Sequence, residues 1–425
     1  MSHETQQAIG GAYLVACDPA WPPLREGFAM FKDRAILYLA LGETLVWAVL
    51  YYVFPALLLR WEQDTDWSKS ELTAAITFAV LLSAAISPLT GRLIDAGRGP
   101  HLMAGSAVLG GLGLLALSQV TSLWAFYGAW AVVGLSLAGC LYEPCFALVT
   151  RIRGSAARHG IILITLVAGF ASAISFPVTH SLSELFGWRI TVTVFGAVAI
   201  VIVAPILWRG ASLLENSKPV VEAPARPATQ SRNDFLKTTT FWFLAIGFAC
   251  AAVLHGATLQ HLLPLLDERG VAADMAVLVA SFVGPMQVAG RLAMMASEKH
   301  TSNHGVAICA FFLMCLSVLL LIIDGSSPLS LVAFVTLFGG AYGTVSIIRP
   351  LIAREILGEA DFGAKSGALA LPYLAGSASA PYFGSLLWDV GGYNLMLWVI
   401  TGLGLLGLLL YLAARKRALV KQEPS

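Results

Sequence analysis

Charged residues are scarce in this sequence. Lys and Arg number 26 and Asp and Glu 25 among 425 residues, so that only 12% of the chain is charged. In a typical soluble domain about 25% of the residues are charged. The formal net charge of +1 argues against a protein that binds nucleic acid or another polyanion through bulk charge.

Cysteine is also sparse and forms no recognisable framework. The cysteines are scattered, mostly within apolar runs, with neither a disulfide pattern nor the spacing of zinc ligands. They are Cys17, Cys140, Cys145, Cys250, Cys309 and Cys315. Free thiols are typical of a reduced or membrane-buried setting. Cys140 and Cys145, like His255 and His261, are spaced so that they point to different sides of a helix. We therefore predict no metal site.

Catalytic motifs are missing as well. The sequence has no glycine-rich phosphate loop, no nucleotide-binding domain and no Ser/His/Asp arrangement of the usual kind. It therefore predicts neither an enzyme nor an ATP-driven pump, and it predicts no cofactor.

Apolar residues, in contrast, are abundant and occur in long runs. They make up 57% of the chain, and apolar stretches of about 18 residues or more can each cross about 30 Å of hydrocarbon. We predict an all-α membrane protein with twelve transmembrane helices, numbered spans 1 to 12. The spans are 35–58, 70–90, 101–118, 124–150, 160–181, 189–208, 239–262, 273–293, 305–324, 329–351, 365–386 and 392–413. Residues 1–34 show no removable signal peptide.

The distribution of Lys and Arg predicts the orientation of the spans. If the N-terminus lies inside, most Lys and Arg residues fall in inner segments and few fall in outer loops. The residues in outer loops are Arg60, Lys69, Arg189 and Arg269. Because cytoplasmic loops are enriched in Lys and Arg, both termini are predicted to be cytoplasmic. The predicted location is a plasma membrane, of the bacterial inner-membrane type.

The chain divides into two halves of six spans. Segment 209–238 is rich in proline and charge and is typical of a linker. It separates an N-terminal bundle, 35–208, from a C-terminal bundle, 239–413. A cytoplasmic segment, 1–34, and a cytoplasmic tail, 414–425, flank the two bundles.

The two halves resemble each other in sequence. "AGFASA" at 168–173 matches "AGSASA" at 375–380, and "YEP" at 142–144 matches "IRP" at 348–350 with nearly the same offset. Both halves begin on the same side of the membrane. We therefore predict two pseudo-symmetric bundles related by an axis along the membrane normal.

These features together resemble the major facilitator superfamily. The resemblance covers residues 30–415 and rests on the twelve spans, the repeat, the inner linker and "GRLIDAGRGP" after span 2. It implies an alternating-access transporter whose spans 1, 4, 7 and 10 surround a central cavity.

The loop after span 2 carries a partial match to that family's inner signature. Gly91 and Asp95 have the family's spacing, whereas Ala96 stands where a basic residue is usual. The resemblance implies that Asp95 helps to close the inner gate of the outward-open state, together with arginines at the end of span 4. The predicted gate residues are Gly91, Asp95, Arg98, Arg151 and Arg153. The alternative is a tight, solvated turn that uses the conformational freedom of glycine.

Within the family, "YYVFPALLLRWEQD" in span 1 resembles members that are similar to monocarboxylate transporters. Some of those carry an acid and an arginine in span 8, or a lysine in span 11. We read span 8, "AVLVASFVGPMQVAG", and span 11 as free of charge. The substrate of that subgroup is therefore not carried over to this chain.

Three formal charges lie well inside the predicted spans. They are Glu43 in span 1, Glu143 in span 4 and Arg349 in span 10. An ion in hydrocarbon costs at least about 2.5–3.5 kcal/mol, so that such residues usually face protein or a water-filled cavity. Glu143 and Arg349 occupy equivalent positions in the two halves. We therefore expect them on opposite walls of the cavity at similar depth.

Helical spacing predicts a polar stripe on each wall of the cavity. The stripes are Ser136, Cys140 and Glu143 in span 4, Tyr342, Ser346 and Arg349 in span 10, and Glu43, Trp47 and Tyr51 in span 1. Span 7 offers His255, Gln260 and His261.

Each of these groups has a predicted role. Arg349, which is always charged, is expected to bind an anionic substrate in bidentate geometry. Glu43 and Glu143 are expected to couple transport to protons, because burial favours the neutral form of a carboxyl group. The predicted substrate-binding residues are Arg349, Trp47, Tyr51, Tyr52, Tyr342, His255, Gln260 and His261.

Other interpretations remain open for the same residues. Glu143 and Arg349 could form a permanent structural bridge, or Arg349 could extend to the inner surface. Glu43 could be neutral and hydrogen-bonded to a neighbouring helix. His261 lies near the outer end of its span and could be solvated.

The sequence thus predicts a proton-coupled secondary active transporter, a symporter or antiporter, of a small organic anion. It is expected to be a monomer whose partners are the small-molecule substrate, protons and the lipid bilayer. The alternative is a proton-driven exporter of a cationic or amphipathic compound, in which Glu143 attracts the cation and Arg349 tunes its protonation.

Overall fold

The fold is all-helical throughout the described part of the chain. The computed structural model describes residues 33–154, 157–217, 233–297, 300–358 and 362–422. Cys17, most of the predicted N-terminal segment and the central part of the linker lie outside these ranges. The helices of the first half are Arg34–Val46, Val53–Asp64, Lys69–Asp95, Gly99–Leu117, Leu123–Cys140, Tyr142–Arg153, Ala157–Ala168, Ala171–Val198 and Ala204–Glu215. Those of the second half are Thr239–Gln260, Leu262–Glu268, Ala273–Ser297, Asn303–Asp324, Pro328–Leu357 and Phe362–Gln422.

Twelve membrane crossings follow from these helices. Ten described helical stretches are long and apolar enough to cross a membrane. Two of them, Ala157–Glu215 and Lys365–Leu419, contain 59 and 55 residues, whereas about 20 residues span a bilayer. Gly187 and Gly392, at φ 79° and 68°, break these two stretches. Each stretch is therefore two crossings, as the sequence predicts.

Contacts at the ends of the first long stretch confirm that the chain reverses at Gly187. Near its start, Gly160 packs against Ile36, and at its end Glu215 pairs with Arg151. Ile36 and Arg151 both lie close to the ends of their helices that face the linker. We call this end of the bundle the linker side and the other end the opposite side.

Helix boundaries differ from the predicted span boundaries on the linker side. The helix of span 6 continues to Glu215 and that of span 12 to Gln422, beyond the predicted starts of the linker and the tail. The reason is that a helix needs no hydrocarbon around it to continue into a polar region. Ion pairs such as Arg153 with Asp33, at 2.6 Å, hold helix ends together there.

Irregular turns interrupt the spans that bear Pro55 and Pro144. Trp47–Tyr51 forms a π-helical turn in span 1, and the extended backbone of Leu141 divides span 4. Proline has no N–H and cannot donate to the carbonyl four residues earlier. That carbonyl belongs to Tyr51 in span 1 and to Cys140 in span 4, the residues at which the irregular turn and the first helix end.

The lateral surface of the bundle is apolar. Well inside the spans, Val201, Phe312 and Leu409 are each more than half exposed, and many other large apolar side chains are exposed around the helices. A soluble monomer rarely exposes so much contiguous apolar surface. These side chains face lipid, and the chain is a multi-pass membrane protein.

Small residues let the two halves approach closely. Ser172, in the "AGFASA" segment of span 5, donates to the Ser281 carbonyl of span 8 at 2.9 Å and accepts from the Gly284 amide at 2.9 Å. Thr73 of span 2 bonds Ser385 of span 11 at 2.7 Å. These contacts join span 5 to span 8 and span 2 to span 11.

Gly134 provides a test of the close packing inside the first half. A Cβ at this position would collide with the backbone of Ala79, which cannot move as a side chain can. We expect Gly134→Ala to cost about 1–3 kcal/mol, the usual range for overpacking, and to lower the melting temperature in detergent. Gly128 lies in the same helix with nothing within 4 Å of its Cβ position, so that Gly128→Ala should not lower it. Equal melting temperatures for the two variants would contradict this packing.

Candidate functional site

A cavity of about 450 Å³ lies between the two halves. Spans 1, 4 and 5 form its wall in the first half, and spans 7, 8, 10 and 11 form its wall in the second. The residues that line it are Trp47, Tyr51, Tyr52, Tyr142, Glu143, Phe146, Ala168, Gly169, His255, Gly256, Leu259, Gln287, Arg291, Tyr342, Ser346, Arg349, Ala370, Tyr373, Leu374 and Ser377. Most of the predicted substrate-binding residues, together with Glu143, therefore meet in one place.

Aromatic rings dominate the wall of the first half. The centroid of the Trp47 ring lies 4.8 Å from the centroid of the Tyr51 ring and 4.9 Å from that of the Tyr142 ring. The Tyr142 ring stacks on the Phe146 ring, with 4.9 Å between the ring centroids and an angle of 13° between the planes. The π-helical turn carries Trp47 and Tyr51, and the helix that starts after Leu141 carries Tyr142. The two irregular turns thus position the rings of this wall.

The predicted stripe of span 10 lies on the opposite wall. Tyr342, Ser346 and Arg349 all line the cavity, because the helix Pro328–Leu357 is continuous and keeps their spacing on one face. The Tyr342 hydroxyl lies 2.6 Å from that of Tyr373. The Tyr342 ring stacks on the His255 ring, with 3.2 Å between the ring centroids and an angle of 4° between the planes.

Arg349 has an aromatic neighbour but no carboxylate partner. Its guanidinium carbon lies 4.0 Å from the centroid of the Tyr373 ring, and its Nη1 has no hydrogen-bond partner. No ion pair joins Arg349 to Glu143 among the described residues, although both line the cavity. The structure thus contains neither the permanent Glu143–Arg349 bridge nor an Arg349 directed to the inner surface.

Glu143 faces the cavity with an exposed side chain. It lies in the first turn of the helix Tyr142–Arg153 and is among the accessible residues of span 4. Its surface therefore opens into the cavity and not into lipid, where a carboxylate would be costly.

The prediction that Glu43 lies on the cavity wall is wrong. Glu43 is 0% exposed and is not among the lining residues. It lies one helical turn before Trp47, next to the Cys145 thiol of span 4. The Cys145 thiol is the side chain that interacts with the Glu43 carboxyl group, so that a neutral Glu43 bonded to a neighbouring helix stays a prediction. Packing against span 4 covers this turn, which spacing along span 1 does not reveal.

Ser136 and Cys140 are also absent from the cavity wall. Ser136 donates to the Ser106 carbonyl of span 3 at 2.6 Å, and the Cys140 thiol donates to the Ser136 carbonyl at 3.1 Å. The predicted stripe of span 4 requires one continuous helix from Ser136 to Glu143, but the helix breaks at Leu141. The break changes the angular phase, so that Glu143 no longer shares a face with the other two.

Gln260 and His261 lie between the cavity and the opposite side. They are 1% and 0% exposed. His261 bonds the Pro381 carbonyl through Nε2 at 2.8 Å, so that the interpretation of a solvated His261 is wrong. Gln260 lies beside the Tyr51 hydroxyl. Of the three predicted residues in span 7, His255 alone lines the cavity.

Arg291 is a cavity residue that the sequence analysis missed. It stands at the end of predicted span 8, beyond the segment "AVLVASFVGPMQVAG" that is free of charge. The helix Ala273–Ser297 carries it well inside the bundle, where it lines the cavity with Gln287. It donates to the Gly343 carbonyl at 3.1 Å and to the Thr165 carbonyl at 2.8 Å. The spacing of Gln287 and Arg291, four residues apart, is the signal that could have revealed it.

The predicted inner-gate residues are dispersed on the linker side. Asp95 and Arg98 are exposed, next to Gly97 at φ 73°. The span 4 arginines have partners other than Asp95. Arg151 pairs with Glu215, and Arg153 pairs with Asp33. In this conformation the loop after span 2 is a solvated turn.

A buried lysine closes the opposite side. Lys69 was predicted to lie in an outer loop, yet it is 1% exposed. It lies 3.4 Å from Glu62 and 3.4 Å from Glu268. Its Nζ donates to the Tyr393 hydroxyl at 2.9 Å and lies 3.6 Å from the centroid of the Trp388 ring. We call these five residues the Lys69 cluster, and it joins the first half to the second.

Comparison with known proteins agrees with this architecture. The model of the Major Facilitator Superfamily matches residues 39–298. An MFS transporter named asaE from Aspergillus flavus is 21% identical over 80% of this chain and 76% of its own length. An MFS-type transporter from Gibberella moniliformis is 22% identical over 83% of this chain and 84% of its own length.

Solved structures share the fold. A bacterial homologue of the human lysosomal transporter Spinster, in an inward-facing and occupied conformation, has a TM-score of 0.67, with 16% identity. The match covers 93% of this chain and 99% of that one. The structure of the same homologue in an inward-facing and unoccupied conformation has a TM-score of 0.68 to this chain, with 16% identity. The chain belongs to the major facilitator superfamily, as a membrane-embedded transporter of small molecules and not an enzyme.

Proposed function

We propose that the protein is a proton-coupled secondary active transporter of a small organic anion. The observation that carries the proposal is Arg349, a cation on the cavity wall whose Nη1 lacks a partner. An arginine in a bilayer needs a counter-charge, water or hydrogen-bond acceptors. A substrate carboxylate supplies two acceptors in the geometry that a guanidinium favours.

The balance of charge in the cavity also supports an anion. Arg291 and Arg349 face a single carboxylate among the lining residues, that of Glu143. Arg291 is engaged with two backbone carbonyls, which do not neutralise its charge. An anion that enters the cavity therefore meets a net positive environment. The balance disfavours the alternative of a cationic substrate.

Glu43 and Glu143 support proton coupling in different ways. Glu143 opens into the cavity and can exchange a proton with water there. Glu43 is buried with no cation beside it, and a lone buried charge is costly. The two carboxyl groups interact electrostatically. We propose that Glu143 takes up the proton that accompanies the anion, and that Glu43 stays neutral.

Alternating access is supported by the difference between the two ends of the cavity. On the opposite side, the Lys69 cluster and the buried Gln260 and His261 separate the cavity from solvent. On the linker side, Glu143 and Ser346 are exposed. We propose that this conformation is open to the linker side, which is the cytoplasmic side with both termini. In the other state Asp95 would meet the span 4 arginines.

The membrane in which the protein works remains a prediction from sequence. Segments rich in Lys and Arg support cytoplasmic termini. The two relatives named above are fungal, so that they do not support a bacterial inner membrane over another plasma membrane.

Replacement of Arg349 tests the anion site. In proteoliposomes with an imposed pH gradient, Arg349→Ala should weaken uptake of the anion about 30-fold or more, because loss of one member of a buried charge pair costs about 2–5 kcal/mol. Arg349→Lys should retain part of the activity, since it keeps the charge and loses the bidentate geometry. Arg209, which is exposed and is not among the residues that line the cavity, provides the control variant Arg209→Gln. Normal anion uptake by Arg349→Ala would contradict the proposal.

Replacement of Glu143 separates proton coupling from binding. Glu143→Gln mimics the protonated state, so that exchange of one anion for another should continue while stimulation by the pH gradient is lost. The measurement compares gradient-driven uptake with exchange at equal pH in the same proteoliposomes. Undiminished stimulation by the gradient would exclude Glu143 as the coupling group. Gradient-driven uptake of organic cations that fails in Glu143→Gln would instead favour the exporter.

Replacement of Lys69 tests the closed end. Lys69→Met keeps the bulk of the side chain but leaves Glu62 and Glu268, which are 25% and 43% exposed, without their cation. Both carboxylates should then turn to water and loosen the contact between the halves. A cysteine at Gln260, which lies behind the cluster, should then react faster with a membrane-impermeant thiol reagent. Lys365→Met, on the linker side, is the matched control and should not raise the rate. An unchanged rate in Lys69→Met would contradict a gate at this position.

A further inference from the structure

The cavity is lined by more aromatic rings than a small aliphatic acid requires. The rings come from both halves and surround the space next to Arg349. They are Trp47, Tyr51, Tyr52, Tyr142, Phe146, Tyr342, Tyr373 and His255. Aromatic pairs are stabilised beyond their buried area by offset stacked or edge-to-face contacts. A lining of this kind therefore favours a ligand that has a ring of its own.

The rings are held in defined orientations. On one wall, Tyr142 and Phe146 are stacked nearly parallel, at 13°. On the other, His255 and Tyr342 are parallel within 4°, and the Tyr342–Tyr373 hydrogen bond fixes the neighbouring ring. Because these side chains support one another, little conformational entropy is lost when a flat ligand is bound between the walls.

Polar atoms among these side chains lack partners. Trp47 Nε1, His255 Nε2 and Arg349 Nη1 have no hydrogen-bond partner, and all three residues line the cavity. A buried polar group without a partner is unfavourable, because it has lost its hydrogen bonds to water and gained none in exchange. Oxygen acceptors on a ligand relieve this cost after small rotations of the side chains. The trio thus favours a ligand that joins a ring to an oxygen-rich, anionic end.

We propose that the substrate is an aromatic carboxylate, with its ring between the aromatic walls and its carboxylate on Arg349. The inference rests on the proposed function, which requires only an organic anion, and restricts it to one chemical class. The ring contacts Tyr142 and Phe146, and the carboxylate accepts from Arg349. The volume of about 450 Å³ lies within the usual range for sites that enclose ligands of this size, about 300–1,000 Å³.

Matched pairs of acids test the ring independently of the charge. Binding to the purified protein is measured by titration calorimetry with benzoate against cyclohexanecarboxylate, and with phenylacetate against cyclohexylacetate. Each pair has the same charge and nearly the same size. The aromatic member should bind about threefold to tenfold more tightly, as expected for one or two ring contacts.

Variants locate the preference within the cavity. Phe146→Leu and Tyr142→Leu should bring the affinity ratio of each pair close to unity, whereas Tyr142→Phe should retain it. Phe312, exposed on span 9, provides the control Phe312→Leu, which should leave the ratio unchanged. The melting temperature of each unliganded variant shows whether it is folded.

The outcomes distinguish this inference from the proposed function. Equal affinity for the aromatic and alicyclic acids, with loss of both in Arg349→Ala, would overturn the aromatic class and leave the anion transporter intact. Binding of benzylamine in preference to benzoate would overturn both.

Discussion

A charge in the hydrocarbon of a bilayer has to be compensated by protein or water, and Arg349 makes this constraint specific. The guanidinium remains charged at any physiological pH, so that it cannot escape the cost of burial by losing a proton. The Tyr373 ring packs against the guanidinium, and the cavity lies beside it. The carboxylate that the sequence places opposite does not pair with it. A cation kept available in this way defines the chemistry of the site.

The two halves build the cavity by different local means, although their sequences repeat. In span 10 a continuous helix places Tyr342, Ser346 and Arg349 on one face. In span 4 the extended residue Leu141 restarts the helix and turns Tyr142 and Glu143 into the cavity. Pseudo-symmetry therefore gives two walls at the same position in the fold, and the helix break makes one wall acidic and aromatic while the other is basic.

A large part of this organisation could be predicted from the sequence, because hydrophobic length and the cost of buried charge act on every span. The twelve crossings and the span 10 stripe follow from those two rules. Ser136 and Cys140 were assigned wrongly because helical phase was carried through a break that no periodicity records. Burial of Glu43 depends on how span 4 packs against span 1, which is tertiary information.

Two cations were misplaced for a related reason. Lys69 and Arg291 stand at the ends of apolar runs, where hydropathy places the boundary of a span and solvent is the default environment. In the structure Lys69 is enclosed by two carboxylates and two rings, and Arg291 donates to two carbonyls from different spans. Partners that are distant in sequence lower the free-energy cost of burying these two cations. A hydropathy profile along the sequence does not show such partners.

The reactivity of a cysteine at position 349 shows whether Arg349 borders a water-filled cavity. The variant Arg349→Cys is treated in membranes with a charged, water-soluble thiol reagent and, separately, with a lipid-soluble one, and the parent protein corrects for the native cysteines. We expect rapid modification by the charged reagent, because it reaches the cavity through water. Modification by the lipid-soluble reagent alone would mean that position 349 faces the bilayer, and the account would be wrong.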